Sequence, residues 1–348
     1  MINTIMLLLL GLLLLIKGSD FLVSASSRLA KKLGISDFII GLTVVAIGTS
    51  IPELATAISA ALKSASGIIV GNVVGANIAN IGLNIGLASL FGTVVVKKDM
   101  LKRDGYIMLL IGLIFVMLAF DHAVAPWEGL ILLLIYFSYV LFLVQARDDI
   151  GKNMQVAEFI DYFLKFRYLS TIRSHAIRMF NREKPKTAEE KKMTQLFREG
   201  LLKDGFIIFL SIFAVGYGAN IIVREALNLA TQLNVLPVFI GSTIISLGTT
   251  LPELGVSITA MRKKLGALAL GNVIGSNIAN IGLIFGIGSI INHVVLSDVS
   301  VNFLIPAMLT FFATFVFFIR TNLKISKKEG AILLGMYLLF ISTMIFLA

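Results

Sequence analysis

Residues 48–54 read Gly-Thr-Ser-Ile-Pro-Glu-Leu, and residues 248–254 read Gly-Thr-Thr-Leu-Pro-Glu-Leu. A second pair of motifs has the same offset of 200 positions. Residues 71–82 read Gly-Asn-Val-Val-Gly-Ala-Asn-Ile-Ala-Asn-Ile-Gly, and residues 271–282 read Gly-Asn-Val-Ile-Gly-Ser-Asn-Ile-Ala-Asn-Ile-Gly. Two long motifs that recur in the same order without gaps indicate a duplicated chain, in which each half carries one copy of each motif.

The composition places both halves in a membrane. Of the 348 residues, 57% are hydrophobic and only 14% are charged, whereas charged residues make up about a quarter of an ordinary soluble domain. Stretches of about 20 mainly apolar residues are long enough to cross a bilayer as helices. They predict an all-α membrane protein with ten transmembrane helices, near residues 3–23, 37–61, 66–92, 105–121, 127–146, 204–224, 237–261, 266–292, 301–320 and 329–348.

The duplication also predicts how the halves are oriented. Residues 1–146 and 204–348 each contain five predicted spans. Because five is an odd number, the second half enters the membrane upside down, and the halves form two inverted-topology five-helix repeats. Inverted repeats whose helices are interrupted by Gly and Pro at matching positions are typical of secondary transporters, with the substrate site between the repeats.

Basic residues lie mainly in the odd-numbered loops, for example at Arg28, Lys97 and Arg262. Loops rich in Lys and Arg stay in the cytoplasm, so both termini are predicted outside. The same bias explains the formal net charge of +10 without nucleic-acid binding. Short loops favour the plasma membrane of a prokaryote, with the lipid bilayer as the surroundings and no obligatory protein partner evident.

Residues 147–203 join the two halves as a basic cytoplasmic linker. Apolar residues such as Phe159, Ile160 and Phe163 are interleaved with charged residues such as Asp161. This pattern fits an amphipathic helix on the inner membrane face. It fits a solvated tether equally well, so the sequence leaves both interpretations open.

Carboxylates at membrane depth are rare and indicate a functional site. Away from the ends of the predicted spans, only Glu53 and Glu253 qualify. Their equivalent positions in inverted halves place both near the middle of the bilayer. Two carboxylates close together repel strongly where the dielectric constant is low, so this pair requires cations or protons.

The neighbouring residues offer oxygen ligands. Pro52 and Pro252 have no N–H group, so the carbonyls of Gly48 and Gly248 lose their helical partners. The motifs add four hydroxyl groups, from Thr49, Ser50, Thr249 and Thr250. An all-oxygen set suits Ca²⁺ or Na⁺, whereas Zn²⁺ or Cu²⁺ prefers imidazole or thiolate, and the chain has no cysteine.

The second motif adds amides and glycines. We expect Asn80 and Asn280 to line the cation site. For the other motif amides we expect hydrogen bonds between helices instead, at Asn72, Asn77, Asn272 and Asn277. The glycines of this motif, including Gly75, have the spacing that usually marks close helix packing.

An intramembrane enzyme that uses the two glutamates as acid and base is the alternative from another functional class. The sequence places no nucleophile or catalytic metal triad beside them, and it lacks the phosphate-binding loop of an ATP-driven pump. We therefore predict a transporter with no catalytic residues and no cofactor.

The paired motifs resemble the two α-repeats of the sodium/calcium exchanger family, in its prokaryotic branch within the calcium/cation antiporter superfamily. The resemblance implies ten helices in two inverted halves. It also implies adjoining ion sites at their centre and electrogenic antiport of Na⁺ inward against Ca²⁺ outward by alternating access. The implied Ca²⁺ ligands are Glu53 and Glu253, together with the backbone oxygens of Thr49 and Thr249.

The resemblance also implies ligands for Na⁺. Asn80 and Asn280 would line the central ion site. The flanking Na⁺ sites would use the side chains of Ser50, Thr250 and Ser276 and the backbone carbonyls of Ala46 and Ser246.

The chain departs from the family pattern at several positions. Ala76 stands where the family commonly has serine, so one Na⁺ site loses a hydroxyl ligand. Asn280 stands where the K⁺-dependent branch carries aspartate, which argues against K⁺ dependence. Gly75 and Gly275 stand where the proton-coupled branch has glutamate, which disfavours proton coupling. An H⁺-coupled antiporter of Ca²⁺ or another divalent cation, or one with altered stoichiometry, is the alternative to Na⁺/Ca²⁺ exchange.

Overall fold

The computed structural model describes residues 2–32, 46–96, 100–148, 155–169, 200–218, 221 and 240–347. In these ranges the protein is helical apart from four two-residue strands and the connecting turns. Seven helical segments are long and apolar enough to cross a membrane, judged by length and composition. The all-helical membrane architecture predicted from the sequence is therefore confirmed.

The described residues of the first half form seven α-helices, two π-helical segments and two strands, and one further α-helix lies in the linker. In chain order the elements are α1 (Ile2–Lys32), α2 (Ala46–Thr49), α3 (Ile51–Leu62), α4 (Ser66–Ala79), π1 (Asn80–Ile85), α5 (Gly86–Phe91), β1 (Val94–Val95), π2 (Leu101–Gly105), α6 (Tyr106–Leu118), β2 (Ala123–Val124), α7 (Pro126–Asp148) and, within the linker, α8 (Val156–Leu164).

The described part of the second half follows the same order. Its elements are α9 (Gly200–Gly218), π3 (Ile240–Ile245), α10 (Ser246–Thr249), α11 (Leu251–Arg262), α12 (Gly266–Ala279), π4 (Asn280–Phe285), α13 (Gly286–Ile291), β3 (Val294–Val295), π5 (Ser300–Leu304), α14 (Ile305–Asn322), β4 (Lys324–Ile325) and α15 (Lys327–Leu347).

Several span boundaries differ from the prediction. Helix α1 continues to Lys32, beyond the predicted end at residue 23, because Ser24, Ser26 and Ser27 do not break a helix that packs against the protein. The fourth span begins with π2 rather than at residue 105. Parts of the predicted second, sixth and seventh spans lie outside the described residues.

The predicted helix interruptions are confirmed in both halves. A turn at Ser50 separates α2 from α3, and a turn at Thr250 separates α10 from α11. Proline fits the first turn of a helix but not its interior, and Pro52 and Pro252 indeed lie in the first turns of α3 and α11. The proline therefore fixes where the new helix begins, and it places the following glutamate in that first turn.

The halves are related by an approximate two-fold exchange. Strand β1 pairs with β4 of the second half, with Val94 opposite Ile325. Strand β2 pairs with β3 in the corresponding way, with Val124 opposite Val294. Each half thus supplies one strand to each pair, and the pairs tie the two halves together.

The two helices that carry the second motif form the core. In the most apolar 18-residue stretch of the continuous helix Ser66–Phe91, 89% of the residues are buried, and in that of Gly266–Ile291 78% are buried. In the other five candidate spans the corresponding share is 44% or less. Gly75 allows a close approach there, since a Cβ atom on it would lie 2.6 Å from the Ser242 carbonyl oxygen. The structural role expected for Gly75 is confirmed.

The linker contains a helix with one buried face. Phe159 and Tyr162 of α8 are 2% and 3% exposed. Their rings pack against those of Tyr139 and Phe142 on α7. On the more exposed face of α8, Asp161 forms an ion pair with Lys165. The hydrogen bond from the Lys165 ammonium group is the main reason that the pKa of the Asp161 carboxyl is lowered. Helix α8 is therefore docked on the transmembrane part.

Candidate cation site

The two motif glutamates are buried at equivalent places. Glu53 lies in the first turn of α3 and Glu253 in the first turn of α11, and they are 0% and 1% exposed. The N-terminus of a helix is a favourable position for a negative charge, because the first peptide N–H groups have no partner within the helix. Because a new helix begins at each break, the two carboxylates lie at buried helix N-termini.

Glu253 is held by hydroxyl groups from both halves. Its Oε1 accepts hydrogen bonds from Ser50 Oγ at 3.0 Å and from Ser276 Oγ at 3.2 Å. The two hydroxyl oxygens are 3.1 Å apart. Because Ser50 belongs to the first half and Glu253 to the second, this cluster lies where the halves meet.

Glu53 has no equivalent cluster. The positions that correspond to Ser50 and Ser276 are Thr250 and Ala76. Thr250 Oγ1 donates to the carbonyl of Ser246 at 2.9 Å, and alanine has no hydroxyl group. Within the described residues, both carboxylate oxygens of Glu53 and Oε2 of Glu253 therefore have no hydrogen-bond partner.

The first amide of each motif connects the halves behind the glutamates. Asn72 Nδ2 donates to the backbone carbonyl of Glu53 at 3.1 Å, and its Oδ1 accepts from Thr249 Oγ1 at 3.2 Å. Asn272 Nδ2 donates to the carbonyl of Glu253 at 3.4 Å, and its Oδ1 accepts from Thr49 Oγ1 at 3.2 Å. Hydrogen bonds between helices, as predicted for these amides, are confirmed.

The remaining motif amides cross-link the core helices. Asn80 Nδ2 donates to Asn277 Oδ1 at 3.0 Å, and Asn280 Nδ2 donates to Asn77 Oδ1 at 3.1 Å. All four side chains are at most 1% exposed. Asn80 and Asn280 each begin a π-helical segment, π1 and π4, a geometry that is frequent at functional sites.

Three residues near these amides were missed by the sequence analysis. Asn77 and Asn277 donate to the sulfur atoms of Met308 and Met108, which have the same 200-residue offset as the motifs. Asn84, one helical turn after Asn80, donates to Asn80 Oδ1 at 2.8 Å. The offset could have identified the methionines, and the spacing of four could have identified Asn84.

The residues expected to supply backbone carbonyls lie in the short helices before the breaks. Ala46 begins α2, and Ser246 begins α10. The Ser246 carbonyl already accepts from Thr250 N at 3.0 Å and from Thr250 Oγ1 at 2.9 Å. The Ser246 hydroxyl donates to the Ser242 carbonyl at 2.7 Å. Both oxygens of Ser246 therefore already take part in hydrogen bonds, unlike the carboxylate oxygens of Glu53.

Other buried carboxylates in the described ranges have donors. Asp104, predicted at the border of a loop, is fully buried because π2 extends the fourth span, and it pairs with Arg103 and accepts from Tyr139 OH at 2.9 Å. Asp204 pairs with Arg28, and Glu128 accepts from the N–H of Ala125. The charge that needs an external partner is therefore that of the glutamate pair.

This arrangement suits a hard cation. Carboxylate, amide, hydroxyl and carbonyl oxygens are the ligands of Ca²⁺, and the number of charged ligands tunes its affinity. Two carboxylates can be neutralised by one divalent cation or by two monovalent cations. The same oxygens can therefore serve either kind of ion in turn.

Known proteins with this pattern are exchangers and membrane proteins. Residues 3–145 and 204–346 match the family model described as sodium/calcium exchanger protein. Over 344 residues the chain is 40% identical to the sodium/calcium exchanger MaX1 of Methanosarcina acetivorans, with 98% of each chain covered. Over 286 residues it is 31% identical to the inner membrane protein YrbG of Escherichia coli, covering 82% of this chain and 79% of that one.

A solved structure agrees. The sodium-calcium exchanger NCX_Mj, soaked with 2.5 mM Na⁺ and 0.1 mM Ca²⁺, is 28% identical, with 99% of both chains covered and a TM-score of 0.76. The chain is thus a member of the sodium/calcium exchanger family, whose members are membrane antiporters rather than enzymes.

Proposed function

We propose that this protein is a secondary active antiporter that moves Na⁺ inward and Ca²⁺ outward by alternating access. The observation that carries the proposal is the buried pair of glutamates, with three carboxylate oxygens that no described group satisfies. Exchangers of Na⁺ and Ca²⁺ among the relatives support the choice of ions.

The buried charges explain why transport would be an exchange. Removing an ion from water costs several kcal/mol even after the surrounding protein relaxes. An empty site with two ionised carboxylates is therefore unfavourable while it is closed to both sides. The site changes sides readily only when it carries Ca²⁺ or Na⁺, and this requirement couples the two fluxes.

The proposed ligands follow the two motifs. Glu53 and Glu253, with the backbone oxygens of Thr49 and Thr249, hold Ca²⁺. Asn80 and Asn280 line the central position. The flanking Na⁺ positions use Ser50, Thr250 and Ser276, with carbonyls of Ala46 and Ser246. The hydroxyl cluster on Glu253 supports one flanking position directly, since both hydroxyls already point at a carboxylate oxygen.

We further propose ten transmembrane helices in two inverted repeats, residues 1–146 and 204–348, in the plasma membrane of a prokaryote. Both termini lie outside, and the linker 147–203 is cytoplasmic. Helix α8 ends at the exposed Leu164 and is followed by the exposed Phe166, and it lies at the inner membrane face. Exchange that carries net positive charge inward gains about 2.3 kcal/mol per charge for each 100 mV of membrane potential.

A second candidate is an antiporter of Ca²⁺ or another divalent cation with altered stoichiometry or with H⁺ coupling. The observation in its favour is the Glu53 side of the site. There Ala76 has no hydroxyl group, and the Thr250 hydroxyl is bonded to the Ser246 carbonyl. One flanking Na⁺ position is therefore poorer in ligands than the other.

Ion gradients separate the two candidates. Proteoliposomes loaded with Na⁺ are diluted into Na⁺-free medium that contains labelled Ca²⁺, and a parallel sample receives a pH gradient with equal Na⁺ on both sides. We expect Ca²⁺ uptake with the Na⁺ gradient. A membrane potential that is positive inside should increase this uptake, because the proposed exchange then carries net positive charge out of the vesicles. Uptake that follows only the pH gradient establishes the second candidate instead. Protease access to the linker reports the orientation of the protein.

A further inference from the structure

The core helices differ one turn beyond their paired asparagines. Asn84 follows Asn80 by four residues, whereas the corresponding position after Asn280 is Ile284. Asn84 is fully buried. A buried amide that only one of two equivalent helices carries indicates a specific role.

Asn84 changes which amide oxygen is available. It donates through Nδ2 to Asn80 Oδ1 at 2.8 Å, while Asn80 Nδ2 donates to Asn277. Both polar atoms of the Asn80 amide are therefore bonded. Asn280 also donates through Nδ2, to Asn77, but its Oδ1 has no partner among the described residues, and isoleucine cannot donate to it.

Asn280 is well placed to offer that oxygen to a cation held by the glutamates. It follows Ser276 by four residues, so the two lie on one face of the helix, about 6 Å apart along its axis. Ser276 donates directly to Glu253. In the part of the chain that the structure describes, the buried oxygens without donors in this region include Oδ1 of Asn280, both oxygens of Glu53, Oε2 of Glu253 and Oδ1 of Asn84 itself.

We propose that Asn84 is a positioning residue that holds the Asn80 amide oxygen toward its own amide group, so that Asn280, whose amide oxygen has no donor among the described residues, supplies the amide oxygen that binds the transported cation. This inference rests on the proposed cation antiport. It makes the central position asymmetric, with its amide ligand on the second half and its freest carboxylate, Glu53, on the first.

Exchanging the two residues between the repeats tests the proposal. Asn84→Ile releases Asn80 Oδ1, which adds a possible ligand, and we expect Ca²⁺ affinity to rise by about 2- to 10-fold, the worth of one hydrogen bond. Ile284→Asn gives Asn280 Oδ1 a donor, and we expect affinity to fall by a similar factor. The double variant restores one occupied and one free amide, and we expect affinity near that of the unchanged protein.

Calorimetric titration of CaCl₂ into the purified full chain measures these affinities, and thermal unfolding without cations checks that each variant is folded. A merely structural role would weaken binding in both single variants or leave it unchanged in both, and either result overturns the proposal. If only Asn84→Ile folds, unchanged or weaker Ca²⁺ binding overturns it. Failure of the unchanged protein to bind Ca²⁺ would instead reject the proposed function.

Discussion

We expect Glu53→Gln and Glu253→Gln each to abolish measurable Na⁺-driven Ca²⁺ uptake. Each change removes one of the two buried charges of the proposed cation site. A pair of unit charges about 4 Å apart interacts by roughly 4 kcal/mol at an effective dielectric constant of about 20. Since about 1.4 kcal/mol corresponds to a factor of ten, Ca²⁺ affinity should fall by at least about 100-fold.

The glutamine variants should remain folded, because they also remove repulsion between two carboxylates in the empty site. We expect their melting temperatures without cations to equal or exceed that of the unchanged protein, with the rise caused by Ca²⁺ lost. Glu128→Gln is a matched control, since Glu128 is buried and, among the described residues, its carboxylate accepts from the N–H of Ala125 just before α7. Uptake that persists in both motif variants would contradict the site assignment.

We expect Gly75→Ala to destabilise the protein and to slow the proposed exchange. The added Cβ would lie 2.6 Å from the Ser242 carbonyl oxygen and 2.8 Å from Ser246 Cβ. The carbonyl belongs to π3, so relief requires the backbone that leads to Thr250 to move. Overpacking a well-packed interior costs about 1–3 kcal/mol, and we expect a lower melting temperature together with slower Ca²⁺ uptake.

Gly67→Ala is the control on the same helix. A Cβ atom at Gly67 meets nothing within 4 Å, and alanine is favoured over glycine in helices by up to about 1 kcal/mol. Its melting temperature and uptake should match or exceed those of the unchanged protein. Equal behaviour of Gly75→Ala and Gly67→Ala would show that close packing at Gly75 is not needed.

The sequence predicts the features that follow from local chemistry. Proline cannot continue a helix, so the breaks before Glu53 and Glu253 could be located in advance. The 200-residue offset then identified equivalent residues in the two halves. The family and the helical membrane fold followed from the motifs and the apolar spans.

The sequence does not predict which acceptor each hydroxyl group donates to. Ser50 and Thr250 are equivalent by offset, yet Ser50 donates to Glu253, whereas Thr250 donates to the carbonyl four residues before it. Threonine and serine within helices can always make that local bond, so the choice depends on what lies across the interface. Ser276 offers a partner there and Ala76 does not, which is why the two glutamates differ.

Burial at span ends was also beyond the sequence pattern. Asp104 is at the edge of an apolar stretch, where a charged residue normally marks a loop. The π-helical start of the span, with Arg103 beside it and the Tyr139 hydroxyl across from it, lets this carboxylate lie inside the protein. Apolar periodicity alone contains no information about such partners.

Competition between the two cations tests the shared site most directly. CaCl₂ is titrated calorimetrically into the purified protein at several Na⁺ concentrations, with choline keeping the ionic strength constant. If Na⁺ and Ca²⁺ bind the same two carboxylates, the apparent Kd for Ca²⁺ rises with the Na⁺ concentration. If more than one Na⁺ displaces each Ca²⁺, this Kd rises more steeply than linearly with the Na⁺ concentration. A Kd for Ca²⁺ that does not change with Na⁺ would contradict exchange at one site.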